Sequence, residues 1–564
     1  MASDLEIARS VPLKKITEVA ARYGLEDSDL IPYGHHMAKV DLSILDRLQD
    51  KPMGKYIDVT AINPTPLGEG KTVTTIGLGL GLNHIGKNAV STIRQPSMGP
   101  VFGIKGGAAG GGNSQVIPME DFNLHLTGDT HAISAANNQL AAWIDTSILL
   151  GNPTNLDPAS VTWKRCLDVN DRCMRSIVTG LGGKSNGVPR ETGFNISSAS
   201  EVMAILALAT DRADLRQRLG RIVVGFTPEG SAVTAEDLGC AGAMATILKD
   251  AIHPTFMQTL EGTGCFVHAG PFANIAHGNS SIVADQIALR VADYVVTESG
   301  FGADMGAEKF FNIKCRISGL KPDAVVVVAT VRALKVHSGK YKVRPGKPLP
   351  EEMLQEDPAA VTEGAANLIR HLENVGKHGV PAVVAVNRFP SDFDSEIDAV
   401  LDIARGAGAF DAVVSEVHAK GGAGGAALAE AVVNACDTQS NFQPLYSDDA
   451  SIKEKIETIA KEVYRADGVD YMPAARKAIK RYEKLGLSHL PVCMAKTQYS
   501  FSDDAKKIGA PTGFRIKVRE LHLSAGAGFF YAILGDMMTM PGLGSRPALL
   551  DIEIDNNGKI SGLF

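Results

Sequence analysis

The chain has 564 residues, enough for one large domain and one or two smaller ones, because single hydrophobic cores stop growing at about 250–300 residues. Its composition is ordinarily globular, 45% hydrophobic and 21% charged, and 56 basic against 63 acidic residues leave a formal charge of -7. That balance excludes a nucleic-acid surface as the main business, leaves room for a local basic site, and comes with no apolar run near the ~18 residues of a membrane span.

The first 24 residues carry charges throughout and lack the apolar centre of a signal peptide. Short β-branched runs at 56–62, 89–93, 221–225, 294–297, 324–331, 382–386 and 412–417 predict strands. Amphipathic stretches such as 200–209 and 359–375 predict helices between them. Continuous apolar strands alternating with helices imply an α/β fold with a mostly parallel sheet. The 344–350 segment (RPGKPLP) reads as a linker. The expected division is therefore a large domain at 1–350, a second α/β domain at 351–450 and a smaller α+β domain at 451–564. Near the end, 551–560 predicts a hairpin around Asn557-Gly558, preferred to a calcium loop whose twelfth position would need an acid where Phe564 stands. Seven scattered cysteines without a CxxC pair predict free thiols in a reduced, cytoplasmic protein, with neither a disulfide framework nor a zinc site.

Glycine clusters at 99–112 and 421–425 suggest backbone lying close to a ligand. Chemistry begins at the first of the strong strands, where 56–62 leads into Thr65, Pro66, Leu67, Gly68, Glu69, Gly70, Lys71 and Thr72 and then a helix. Strand, glycine-bearing loop, Lys-Thr and helix form the order of a P-loop, although Thr65 takes the place of its first glycine. Backbone N–H groups would surround the phosphates of ATP or GTP, Lys71 would bridge the terminal ones, and Thr72 would hold Mg²⁺. The strand at 89–93 ends in Arg94, which would project into the same crevice and could bind a carboxylate or acyl phosphate in bidentate fashion. A surface ion pair is the plainer alternative for Arg94. The glycine-rich 102–115 segment, with Lys105 its only charge, is an anion-binding nest or a tight packing crossover.

At this point the chain resembles the formate–tetrahydrofolate ligases. The resemblance rests on 65–72 (TPLGEGKT), 94–100 (RQPSMGP), 102–129, 190–194 (RETGF), 272–278 (FANIAHG), 329–335 (ATVRALK), 386–389 (VNRF), 495–500 (AKTQYS) and 539–543 (TMPGL). It covers nearly the whole chain and implies a monofunctional ligase that joins formate to tetrahydrofolate with ATP and Mg²⁺, through formyl phosphate. By matching position, it implies Lys71 at the transferring phosphoryl, Arg94 on formate, residues Thr65 to Thr72 around the nucleotide, and Phe389, Pro390 and His418 at the folate. It also implies stimulation by K⁺ or NH₄⁺ and a homotetramer. Three positions depart from the family pattern: His418 stands where tryptophan is usual, Gln95 where glutamate is, and Asn113 where an aromatic is. Rival readings are another P-loop ligase that activates a carboxylate, a partner-regulating P-loop ATPase, and an inactive scaffold. His125 and His131, with Asp121 and Asp129, read as hydrogen-bonding residues in preference to a metal cluster, as do His268 and His277. Lys496 reads equally as an anion contact or a surface lysine, and Met537, Met538 and Met540 as core or interface filling.

Overall fold

Buried β-branched runs form the middle of a twelve-stranded sheet in the computed structural model, which describes residues 3–105, 108–344 and 348–563. Its strands are β1 (Leu30–Tyr33), β2 (Met37–Val40), β3 (Lys55–Ala61), β4 (Ala89–Ile93), β5 (Gly110–Gly111), β6 (Ser114–Ile117), β7 (Thr255–Thr259), β8 (Gly264–Val267), β9 (Tyr294–Glu298), β10 (Ala324–Ala329), β11 (Ala382–Asn387) and β12 (Asp411–Ser415). The main path runs β1-β2-β7-β8-β4-β9-β3-β10-β11-β12, with β6 pairing β7 and β5. From β8 to β12 every pairing is parallel. The other edge, from β1 to β7 with β5 and β6, is antiparallel. All residues of β4, β9, β10 and β11 are buried, and β10 (AVVVVA) reads as an unbroken apolar run. The mixed α/β class with a mostly parallel sheet is thus present.

Several expected boundaries move, each for a local reason. The 324–331 run stops at Ala329 because the Thr330 hydroxyl accepts a bond from the Ala333 amide and caps a helix, Val331–His337. The 412–417 run stops at Ser415, and Val417 begins another helix. Continuous apolarity alone does not separate a strand end from a buried helix start. The 221–225 strand forms as Val223–Phe226, but in a separate antiparallel ribbon with Ala232–Thr234. The 359–375 helix is two helices, Pro358–Gly364 and Ala366–Gly376.

The expected boundary at 350 falls between strands that share one sheet. Strands β11 and β12 continue the same sheet through β10, so the boundary at 350 does not divide it. Pro and Gly in 344–350 signal a loop, and a loop between two strands is compatible with one continuous sheet. Residues 345–347 of that segment lie outside the described residues. Farther on, the chain does build a core of its own, from Tyr446, Ile456, Tyr464, Ile479, Ile516, Phe530 and their neighbours, with Phe226 of the ribbon joining it. The terminal hairpin pairs Glu553–Ile554 with Ile560–Ser561, and Gly558 takes the positive φ its turn requires. No helix among the described residues is long and apolar enough to cross a membrane.

After β3 comes helix α1 (Lys71–His84), with glycines at 77, 79 and 81. Glycine costs about 1 kcal/mol relative to alanine inside a helix, so three need a reason. A Cβ at Gly77 would overlap the Val417 side chain, and one at Gly81 would lie 2.6 Å from the Gly425 carbonyl oxygen. A Cβ at Gly79 would lie 2.5 Å from the Ser91 hydroxyl on β4. The helix is therefore pressed between the sheet and the 417–425 segment.

Candidate active site

Open parallel sheets bind ligands beyond the carboxyl ends of their strands. Here the segments leaving β3, β4, β9, β10, β11 and β12 meet at that end. The loop after β3 carries Thr65 to Thr72, with Gly68 and Gly70 at φ +76° and +73°. Its organiser is Glu69, whose buried carboxylate accepts from the Thr65 amide (2.7 Å), the Thr65 hydroxyl (3.1 Å) and the Thr330 hydroxyl (2.8 Å). The Asn387 amide of β11 donates to the Glu69 carbonyl at 3.1 Å. Thr65, in place of the usual glycine, also accepts from the Leu67 amide through its hydroxyl at 3.3 Å. Pro66 is half-buried, and Leu67 packs on Val336, Tyr341, Met353 and Ala360. Lys71 and Thr72 open α1 and remain half-exposed. Of the loop's side chains, that of Glu69 turns inward, so its contribution to a nucleotide is confined to the backbone.

Gly70 is constrained twice, by its positive φ and by Asn387, whose amide nitrogen a Cβ would overlap. Gly70→Ala is expected to cost at least the about 1–2 kcal/mol of a left-handed non-glycine residue. Chemical denaturation measures it, and an unchanged midpoint refutes the constraint.

Glu298, the last residue of β9, joins the loop to Arg94. Its carboxylate accepts from the Thr72 hydroxyl at 2.8 Å and from Arg94 Nε at 3.2 Å. Burial pushes the Glu298 carboxyl up, but the Arg94 guanidinium, the Thr72 hydroxyl and Lys71 outweigh it and hold the group below its ordinary range. Arg94 is therefore paired, yet inside the crevice and not on the outer surface as the plain alternative had it. A Cβ on Gly300 would lie 3.1 Å from Arg94 Nη1 and 2.5 Å from the Ala273 methyl, so the glycine keeps space open beside the guanidinium. The neighbouring Gln95 is buried, and neither of its side-chain polar atoms has a partner among the described residues. No motif pointed to Glu298; its signal was position alone, at the carboxyl end of a predicted strand between those of Lys71 and Arg94.

Beneath the loop lies a buried polar network. Asn63 donates to Asp304 (3.0 Å), its amide N–H donates to Asn367 (3.1 Å), and its carbonyl meets His337 Nε2 at 2.9 Å. Lys496 is fully buried and pairs with Asp304 at 2.6 Å, so it is neither a surface lysine nor free to face a ligand. Removing one partner of a buried ion pair strands the other charge, so Asp304→Ala is expected to cost about 3–5 kcal/mol in a denaturation midpoint. A loss below about 1 kcal/mol would show that the pair is not needed.

Phe389 and His418 leave adjacent strand ends, since Asn387 of β11 and Ser415 of β12 are register partners. Phe389 is half-buried, its amide donating to Asp392 at 2.8 Å, and Pro390 is exposed. The Arg332 guanidinium lies over the Phe389 ring, 3.3 Å from its centroid. His418 is exposed, with its carbonyl accepting from the Asn113 amide at 2.8 Å. A Cβ on Gly112 would lie 2.8 Å from His418 Nδ1, so the ring rests on bare backbone. Asn113 and Ser114 side chains donate to the Ala419 and Val417 carbonyls, both at 2.8 Å. Residues 110–114 therefore act as a packing seat for the His418 segment. The side chain of Lys105 lies outside the described residues.

The remaining histidines divide. His125 and His131 are exposed, while Asp129 is buried in an ion pair with Lys39 at 2.7 Å. His268 bonds Ser281 and the Ala251 carbonyl, both at 2.6 Å, whereas neither nitrogen of the buried His277 has a partner among the described residues. Met540 is buried and Met538 exposed.

A P-loop-like segment tied through a carboxylate to an arginine is compatible with several kinases and ligases, and comparison with known proteins narrows the choice. The family model for formate–tetrahydrofolate ligase matches residues 2–564. The chain belongs to the formate–tetrahydrofolate ligase family. Curated relatives named formate–tetrahydrofolate ligase include those of Desulforamulus reducens and Saccharopolyspora erythraea, each 58% identical and covering 100% of this chain and 99% of the relative. That of Roseiflexus sp. is also 58% identical, with both chains covered in full. Within this ligase, Glu298, Thr330, Asn387 and Arg332 were not singled out from the sequence, although Thr330 and Arg332 lie in the 329–335 segment and Asn387 in the 386–389 segment that carry the family resemblance; Glu298 lies in none of those segments.

Proposed function

We propose that the protein ligates formate to tetrahydrofolate using ATP, giving 10-formyltetrahydrofolate, ADP and phosphate. The observation that carries the reading is the Thr72–Glu298–Arg94 chain, which sets a guanidinium for a small carboxylate beside a phosphate-binding helix start. The matching names of relatives 58% identical over their full length support it.

Formate is a poor acyl donor because its leaving group would be an oxide. In the proposed sequence a formate oxygen attacks the γ-phosphorus and ADP leaves, giving formyl phosphate. N10 of tetrahydrofolate then attacks the formyl carbon, the carbon–oxygen bond to phosphate breaks, and N10 releases its proton. Lys71 and the N–H groups at the start of α1 neutralise the transferring phosphoryl. Arg94, oriented by Glu298, holds formate and then formyl phosphate in bidentate fashion. The Thr72 hydroxyl and a Glu298 oxygen are the hard donors that Mg²⁺ prefers, and they would hold the ion that accompanies ATP and offsets its charge. Phe389, Pro390 and His418 form the acceptor side. A homotetramer, a cytoplasmic location and stimulation by K⁺ or NH₄⁺ follow from the family resemblance and belong to the same proposal.

The test is formation of 10-formyltetrahydrofolate with ATP, formate and tetrahydrofolate each omitted in turn. Product that requires all three supports the reading, and hydrolysis of ATP without product overturns it. At the acceptor side, imidazole offers less stacking area than indole. His418→Trp is therefore expected to lower the KM for tetrahydrofolate a few-fold, and an unchanged or raised KM counts against stacking there.

A further inference from the structure

Arg332 stands in the first turn of α2 (Val331–His337), at the carboxyl end of β10. Its guanidinium covers one face of the Phe389 ring at 3.3 Å from the centroid, within van der Waals contact. Burial lowers the Arg332 pKa, against the attraction of Asp392 and Glu69, and its Nε has no hydrogen-bond partner among the described residues. A half-buried guanidinium whose Nε is buried without a partner is a costly way to fill space, and an apolar side chain would support a ring more cheaply. Two further bonds fix the arrangement. Asp392 accepts from the Phe389 amide at 2.8 Å, and Thr330, the cap of α2, donates to the phosphate-loop carboxylate of Glu69 at 2.8 Å. One helix start thus touches the ring and the phosphate loop together.

We propose that Arg332 is a positioning residue of the acceptor side: it holds the Phe389 ring, leaves it a single open face for a flat heteroaromatic acceptor, and ties that face to the phosphate loop through Thr330. The inference rests on the reading of Phe389 as acceptor-binding. The acceptor ring stacks as the outer layer of a guanidinium–phenyl pair, and the cation behind the phenyl ring sets its plane. A planar group is required for this, so lysine is not an equivalent.

The test measures KM for tetrahydrofolate, ATP and formate, with thermal midpoints, in Arg332→Met, Arg332→Lys, Phe389→Ala and the Arg332→Met/Phe389→Ala double variant. The expected result is a rise of about three- to tenfold in the KM for tetrahydrofolate in both Arg332 variants. The KM for ATP stays within twofold, and Arg332→Met adds nothing once Phe389 is removed. If Phe389→Ala raises the KM for tetrahydrofolate but neither Arg332 variant does, the inference fails and the reading of Phe389 stands. If Phe389→Ala leaves that KM unchanged, the reading of Phe389 fails and takes the inference with it. A rise in the KM for ATP alone, or a lowered midpoint with every KM unchanged, assigns Arg332 to the nucleotide or to structure and overturns the proposal. Should Arg332→Met fail to fold, Arg332→Lys carries the same comparison.

Discussion

Replacing Lys71 by alanine is expected to lower kcat for 10-formyltetrahydrofolate formation by about 10²–10³-fold, the usual cost of removing one preorganised charge-stabilising donor. Lys71 is the first residue of α1 and half-exposed, so the substitution opens no core cavity and the thermal midpoint should hold. The helix-start N–H groups persist in the variant and still attract phosphate, so the KM for ATP should change far less than kcat. Steady-state kinetics with ATP and formate varied separately measure both. A variant with kcat near wild type would remove Lys71 from the phosphoryl transfer.

The second large effect belongs to Glu298. Glu298→Gln keeps the shape but leaves Arg94 without its carboxylate and changes what the Thr72 hydroxyl meets. The kcat/KM for formate is expected to fall about 10²-fold, because a misaligned guanidinium loses the bidentate hold and the pre-set orientation together. The stability cost should stay near the lower end of about 1–3 kcal/mol, since the Arg94 side chain is 24% exposed and water screens part of the loss. The pH dependence has a definite sign. Glu298 titrates below its ordinary range in the folded protein, so the pair's contribution is complete above the usual glutamate pKa and disappears as pH falls through the lowered value. Thermal midpoints of wild type and Glu298→Gln should therefore converge in acid. A constant difference from neutral to strongly acidic pH would show that the carboxylate charge plays no part.

Local signals carried much of this molecule. Strands such as 324–329 were legible because burial on both faces writes an unbroken apolar run, and the loop at 65–72 was legible because strand, glycine-bearing loop, Lys-Thr and helix follow in the order of a P-loop. Neither signal says which strands become neighbours. The place of β11 and β12 in the main sheet depends on pairings that no local pattern encodes. Glu298 escaped for a related reason: an acid at the end of a strand acquires meaning only when Thr72 and Arg94, 226 and 204 residues away in sequence, arrive on either side of it. Lys496 was misjudged because a lysine's burial depends on its partner, and Asp304 is contributed from far along the chain.

The strand order also bears on how the chain is made. Strand β3, which delivers the phosphate loop, has as neighbours β9 and β10, which end at residues 298 and 329. During synthesis both edges of β3 stay open until about 240 further residues emerge, and one until about 270, roughly 12–54 s at 5–20 residues per second. An apolar strand unpaired for that long invites mispairing with other nascent chains. The loop at 65–72, although written early in the sequence, therefore gains the strands on either side of it late in synthesis.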